Sequence, residues 1–167
     1  MTILLWCASV FGQTINISGK ITDSTGAGLP GVILKIMSRG QPITLIEGSH
    51  KKCVFLEHIR QVLGFRGISV LAKRVETLVA RGELIGEFDV LFARAVADVR
   101  DTLQLFGPLV RHGGRIITFK GPGWETDVQA AEASGLLGRG EYSLEQVLRV
   151  PWCPGHILQI RKLAPTS

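Results

Sequence analysis

The chain has 167 residues, 46% of them hydrophobic and 20% charged, which suffices for one domain with a real core and excludes a disordered polymer. A formal charge of +5 leans mildly towards polyanions. The three cysteines, Cys7, Cys53 and Cys153, are too scattered for a zinc site or a disulfide framework, and free thiols of this kind suit a reducing cytosol.

In chain order, the apolar run from Ile3 to Phe11 is too short to span a bilayer. It reads as a degenerate signal core lacking the usual preceding Lys or Arg, or as a buried strand or short helix packed on the core. No other segment approaches membrane-spanning length. The next stretch, "INISGKITDSTGAGLPGVILKI" (15–36), has two readings. If Ile17–Thr22 is a strand and Pro30 sits in the first turn of a helix, Ser24–Leu29 is a glycine-rich loop between them. Gly26, Gly28 and Gly31 then permit close approach of a ligand to the backbone. If Val32, Leu34 and Ile36 alternate as a strand, the stretch is a hairpin that holds nothing.

From residue 43 the pattern alternates regularly. "ITLIEG" (43–48) reads as a buried strand. "SHKKCVFLEHIRQVLGF" (49–65) has helical spacing, with Ser49 as N-cap and Gly64 as stop. A strand at 68–73, a helix at 74–82 and a strand at 88–96 follow. A helix is expected over 99–114, closing on Gly113–Gly114, then a strand at 115–121 and a helix at 124–137. Residues 141–151 and 156–163 form a final antiparallel pair. The alternation predicts one α/β domain, 1–167, with a mostly parallel sheet and helices on both faces.

Ligands of such sheets bind beyond the carboxyl ends of the strands. Glu47, ending the second of these strands, suits two ribose hydroxyls or is a solvated carboxylate. Arg74–Thr77 suits the rim of an adenine pocket or is the first turn of a helix. Arg94 and Lys120, closing two further strands, suit a cofactor or nucleic-acid phosphate; alone, each reads as a solvated cation. His50, His58, His112 and His156 are scattered and receive no catalytic role.

In order, "GAGLPG", "TLIEGSHKKCVFLEHI", "KRVE", "FDVLFARA" and "GGRIITFKG" resemble the bacterial methyltransferases that modify guanine N7 of small-subunit ribosomal RNA, also called glucose-inhibited division protein B. The resemblance covers roughly residues 25–163. It implies a class I S-adenosylmethionine-dependent, Rossmann-like fold, with a seven-stranded sheet whose last strand is antiparallel. It implies S-adenosylmethionine as cofactor, held by Ser24, Gly26, Gly28 and Leu29 on the methionine side, Glu47 at the ribose, Val75 and Glu76 at the adenine, and Arg94. The implied partner is ribosomal RNA, with Lys51, Lys52, Arg74, Arg94 and Lys120 as candidate phosphate ligands. A cytoplasmic monomer without metal is expected. Guanine N7 has a free lone pair, so no general base is required, and the lack of a catalytic triad fits. Placement and desolvation of the partners suffice.

The family's loop reads Asp-x-Gly-Ser/Thr-Gly-x-Gly, and here Thr22 and Ser24 stand at the acid and first glycine. The family's N-terminal helical segment is also missing, so residues 1–20 are an atypical, shortened start. Impaired cofactor binding is the corresponding expectation. Residues 1–36 also resemble the start of exported carboxypeptidase-regulatory-like β-sandwich domains, which implies a non-catalytic binding module instead. A methyltransferase-like RNA binder without turnover is the third reading.

Overall fold

The structure, a computed structural model, describes residues 6–8, 14–15, 38–39, 42–94, 98–138, 140–149 and 154–165. Its strands are β1 (Trp6–Ala8), β2 (Thr14–Ile15), β3 (Ser38–Arg39), β4 (Ile43–Ile46), β5 (Ile68–Leu71), β6 (Phe88–Arg94), β7 (Val110–Lys120), β8 (Tyr142–Arg149) and β9 (His156–Lys162). Its α-helices are α1 (His50–Val62), α2 (Val75–Ala80), α3 (Val99–Phe106) and α4 (Trp124–Ala133). Strands β2 and β3 pair only with each other, and the remaining strands form a 7-stranded sheet in the order β5-β4-β1-β6-β7-β9-β8.

The pairings fix the directions. β4 and β5 are parallel, as are β6 and β7. β1 is antiparallel to both β4 and β6, and β9 to both β7 and β8. Hence β4, β5, β6, β7 and β8 all point one way, and the last strand opposes them as expected. The third position, between β4 and β6, differs from expectation. It is filled by Trp6–Ala8, running against its neighbours, while the expected strand Ile17–Thr22 lies outside the described residues. Of the readings open for residues 3–11, a strand is the one adopted by Trp6–Ala8.

The step from β4 to β5 runs one way across the sheet, and the steps from β5 to β6, β6 to β7 and β7 to β8 run the other. With right-handed crossovers, α1 therefore lies on one face and α2, α3 and α4 on the other. The contacts agree: α1 packs on β5, while α3 touches both α2 and α4. The core lies on the three-helix side. Two cross-strand rows, Leu91–Ile116–Ile160 and Ala93–Thr118–Leu158, are buried there against Val99, Leu103, Phe106, Val128 and Ala131. Each fully buried Leu, Ile or Phe contributes about 1.5–3 kcal/mol relative to exposure.

Local chemistry explains most boundaries. α1 ends where Gly64 adopts φ +66, a left-handed conformation that glycine enters without strain. The helix expected over 99–114 stops at Phe106, because Gly107 and Pro108 cannot extend it and instead make a short 3₁₀ turn. Strand β7 then starts at Val110, and Gly113–Gly114 form a bulge in it rather than a helix end. Gly114 is required for space: a Cβ there would lie 2.7 Å from the Asp89 carbonyl oxygen and 2.9 Å from that of Arg111.

Candidate functional site

The five co-directional strands share one carboxyl edge, where several titratable side chains collect. At the ends of β4 and β5 is a cavity of about 320 Å³, lined by Glu47, Gly48, Ser49, Lys52, Lys73, Arg74, Val75 and Glu76. Glu47 follows β4 directly and is 8% exposed. Its Oε1 accepts a hydrogen bond from the Ser49 backbone N–H at 2.8 Å, which fixes the carboxylate at the start of α1. Its Oε2 is buried and has no hydrogen-bond partner. The Lys52 ammonium forms an ion pair with that oxygen across 3.9 Å.

Beneath this carboxylate, the Cys53 thiol donates to the Glu47 carbonyl oxygen at 3.1 Å. Burial first, then the nearby Glu47 charge, pushes the Cys53 thiol above its ordinary range and keeps it neutral. Across the cavity, Gly48 leaves room for the stem of Arg74, since a Cβ there would come within 2.8 Å of the Arg74 Cγ. Lys73 is tied to Glu83 by an ion pair. The cavity therefore combines one buried carboxylate, hydrogen-bonded at one oxygen and ion-paired at the other, with a rim of mixed charge that includes Arg74 and Glu76. That set suits a polar ligand with vicinal hydroxyls.

The sequence expectations divide as follows. Glu47, Val75 and Glu76 are brought to this one cavity, together with Lys52 and Arg74. Ser24, Gly26, Gly28 and Leu29 lie outside the described residues, as do Thr22 and the whole alternative hairpin. Arg94 ends β6 on the same edge, and only its backbone is described. Lys51 is exposed on α1. Lys52 is half-buried, with its ammonium 3.9 Å from Glu47 Oε2. Lys120 closes β7 on the same edge, where its side chain is 8% exposed and its ammonium pairs with Asp127 Oδ2 at 3.3 Å.

Two further residues belong to this edge: Trp124, which was not singled out in the sequence, and His156, which received no catalytic role there. Trp124 opens α4 just after β7, and His156 opens β9 opposite Lys120. Their ring centroids are 5.4 Å apart, with the planes tilted by 43°. The available signal for Trp124 was its place directly after "FKGPG", where the chain leaves a strand end for a helix. Among the described residues no group of three or more His, Cys, Asp or Glu side chains is arranged to hold a metal ion. No described helix is long and apolar enough to cross a membrane.

The comparisons with known proteins agree with this architecture. The family described as GidB, rRNA small subunit methyltransferase G, matches residues 6–148. Ribosomal RNA small subunit methyltransferase G of Carboxydothermus hydrogenoformans is 43% identical over 108 residues, covering 65% of this chain and 46% of that protein. The protein of the same name from Roseiflexus castenholzii is 36% identical over 164 residues, covering 97% of this chain and 69% of its own. The chain spans about half the length of the first curated relatives it matches, 46% and 50%.

Among solved structures, a variant of MtNAS in complex with S-adenosylmethionine is similar at TM-score 0.52 and 18% identity, over 72% of this chain and 45% of that one. An S-adenosylmethionine-dependent O-methyltransferase of Thermotoga maritima gives TM-score 0.52 at 14% identity, over 74% and 51%. These likenesses establish a class I methyltransferase fold. With the family match extending from β1 into β8 and the Roseiflexus relative aligned along nearly the whole chain, this protein belongs to the ribosomal RNA small subunit methyltransferase G family.

Proposed function

We propose that the cavity holds S-adenosylmethionine and that the protein takes part in methylation of guanine N7 in small-subunit ribosomal RNA. The observation that carries this reading is Glu47. One oxygen is locked by Ser49 and the other is buried against the cavity without a hydrogen-bond partner. That oxygen has only the Lys52 ammonium at 3.9 Å, beyond hydrogen-bond distance, and a ribose hydroxyl would supply the missing hydrogen bond. Val75 and Glu76, at the start of α2, would edge the adenine, with Arg74 at the rim.

When bound, S-adenosylmethionine supplies an electrophilic methyl group to the N7 lone pair. The chain's own task is then to orient the two partners and keep water from between them. No proton has to be removed from N7, which accords with a carboxylate used for binding rather than as a base. Ribosomal RNA would approach along the cationic edge, through Arg74 and Arg94, with an affinity that falls as salt rises.

Calorimetric titration with S-adenosylhomocysteine tests the cofactor reading. Saturable binding is expected, and Glu47→Ala is expected to weaken it about ten- to a hundredfold, the range for a hydrogen bond to a charged group of about 1.5–3 kcal/mol. Absence of binding at millimolar ligand would sink the reading while leaving the fold in place.

A further inference from the structure

The two faces of the sheet are covered unequally. Along β7, Ile116 and Thr118 are buried on the three-helix side, so Arg115, Ile117 and Phe119 stand on the other. The only described helix on that second side, α1, packs on β5, four strand places from β7. Over β7, β9 and β8 the face is open. Phe119, Ile157 and Leu148 form one cross-strand row there, and Ile117, Gln159 and Gln146 the next. Phe119 is 41% exposed and Leu148 45%, so the first row offers an aromatic and apolar strip to solvent.

A third row sets Arg115 opposite Arg161, and like charges on facing strands repel. A bulge in β8 answers this. The register slips between Leu144 and Gln146, so Glu145 is the extra residue, re-aimed onto the open face. Its carboxylate accepts from Arg115 Nε at 2.8 Å, from Gln159 Nε2 at 2.8 Å and from Arg161 at 3.3 Å. Each arginine engages it through one N–H of the guanidinium fork and keeps the others for a further acceptor. Two cations against one carboxylate leave net positive charge, with both guanidiniums held side by side. Of the six Lys and Arg in β7, β8 and β9, the two lysines are buried and paired with Asp127 and Glu141, while the four arginines reach solvent.

An aromatic strip beside excess guanidinium charge is complementary to single-stranded RNA, whose bases stack on rings and whose phosphates meet arginine forks. A second copy of the chain fits less well, because a strip three residues wide falls far short of the roughly 800 Å² per partner that a stable protein interface buries. Position agrees. Phe119 is the penultimate residue of β7 and stands opposite Arg94, on the carboxyl edge where β4 delivers Glu47. Arg115 lies four residues back, about 13 Å along the strand.

We propose that the open face of β7, β9 and β8 is the docking surface for the RNA substrate, with Phe119 stacking on a base and Arg115 and Arg161 meeting phosphates. An RNA strand held along β7 runs towards the carboxyl edge and presents its next nucleotide to the cofactor cavity. The identity of the partner rests on the methyltransferase reading above, and the test is independent of turnover.

The experiment measures binding of a single-stranded guanosine–uridine oligoribonucleotide by fluorescence anisotropy over a range of salt concentrations. The proteins are wild type, F119L, F119Y, R115Q/R161Q and, as a control with the same charge change on the opposite side, R81Q/R100Q. S-adenosylhomocysteine affinity, thermal melting and sedimentation are measured on the same samples. F119L is expected to lose about fivefold or more in RNA affinity, and F119Y, which still stacks, to keep it. R115Q/R161Q is expected to lower the slope of log affinity against log salt by about 1.4, the value for two phosphates of a single strand, and the control to leave that slope unchanged. Cofactor affinity stays the same in every variant. If F119L melts early, the arginine double variant decides. Wild-type RNA binding in both F119L and R115Q/R161Q would overturn the proposal, as would an equal loss in the control or a wild type that does not bind the probe. A wild-type dimer that F119L dissociates would give the face to a second copy instead. A wild type that binds RNA but no cofactor, with the variant pattern intact, supports the docking surface and rejects only the cofactor reading.

Discussion

Tyr142, Lys162 and Gly107 show how closely a few side chains decide the far end of the fold. Tyr142 is 2% exposed, and a Cβ on Gly107 would fall 1.9 Å from its hydroxyl oxygen. Gly107 is therefore kept small for the phenol rather than for backbone freedom, since its φ is −57. The Lys162 ammonium donates to the Gly107 carbonyl oxygen at 3.0 Å and pairs with Glu141 at 3.3 Å, which satisfies a cation in an almost closed site. Burial first, and then the Glu141 charge, pushes the Tyr142 hydroxyl well above the ordinary phenol range. The folded chain thus binds the phenolic proton more tightly than the unfolded chain does. The corresponding stability is fully present below pH about 10 and drains away as the pH rises beyond it, because the unfolded state ionises first. Melting temperature should fall from pH 10 upward, and Tyr142→Phe should flatten that fall. An equally steep decline in the variant would show that another group governs the alkaline limb.

Among the elements, α3 is the most self-sufficient. Asp98 caps it, its Oδ1 accepting from the Asp101 N–H at 2.8 Å while Thr102 Oγ1 donates back to the Asp98 carbonyl at 2.6 Å. Asp98→Ala should cost about 1 kcal/mol, read as a shift in denaturant midpoint without a change of slope. By contrast, α1 buries only Cys53 and exposes Val54, Phe55 and Val62, each by more than half. The type of each element from residue 43 onward was legible, because buried parallel strands and amphipathic helices leave different periodicities. One boundary was misplaced. "LFGPLVRHGG" keeps apolar spacing through 109 and 110, and periodicity alone cannot tell a helix end from a 3₁₀ turn running into a strand. Gly107–Pro108 was the overlooked signal.

At the scale of the whole molecule, the fold follows from strand order and the candidate site from the shared carboxyl edge. Glu47, Val75 and Glu76 could be placed in advance because each terminates or follows a strand whose direction is set by the helix beside it. Trp124 and His156 could not, since their juxtaposition depends on β9 returning antiparallel beside β7, 36 residues later. Lys120 was legible in place, whereas its ion pair with Asp127 of α4 was not, because it joins two elements. The direction of β1 was illegible: three residues carry no pattern that distinguishes parallel from antiparallel. Cys7 lies at the middle of β1, paired with Leu91 of β6. Cys7→Pro removes a backbone donor from the centre of the sheet and should lower stability by about 1–3 kcal/mol for the carbonyl left without a partner. An unchanged denaturant midpoint would mean that β1 contributes nothing to the sheet.

The reversed β1 also settles where other things can be attached. Trp6 stands opposite Phe92, towards the edge that holds Glu47 and Trp124, whereas Ala8 stands opposite Ile43 at the far edge. Strand β9 runs the other way from β7 and delivers Lys162 to that far edge. Anything joined directly to Trp6, whether an affinity handle, a fluorophore or a fusion partner, therefore starts from the edge that carries the proposed cofactor cavity. The same handle joined after Lys162 leaves from the opposite side. Binding assays are best built on carboxyl-terminal attachments.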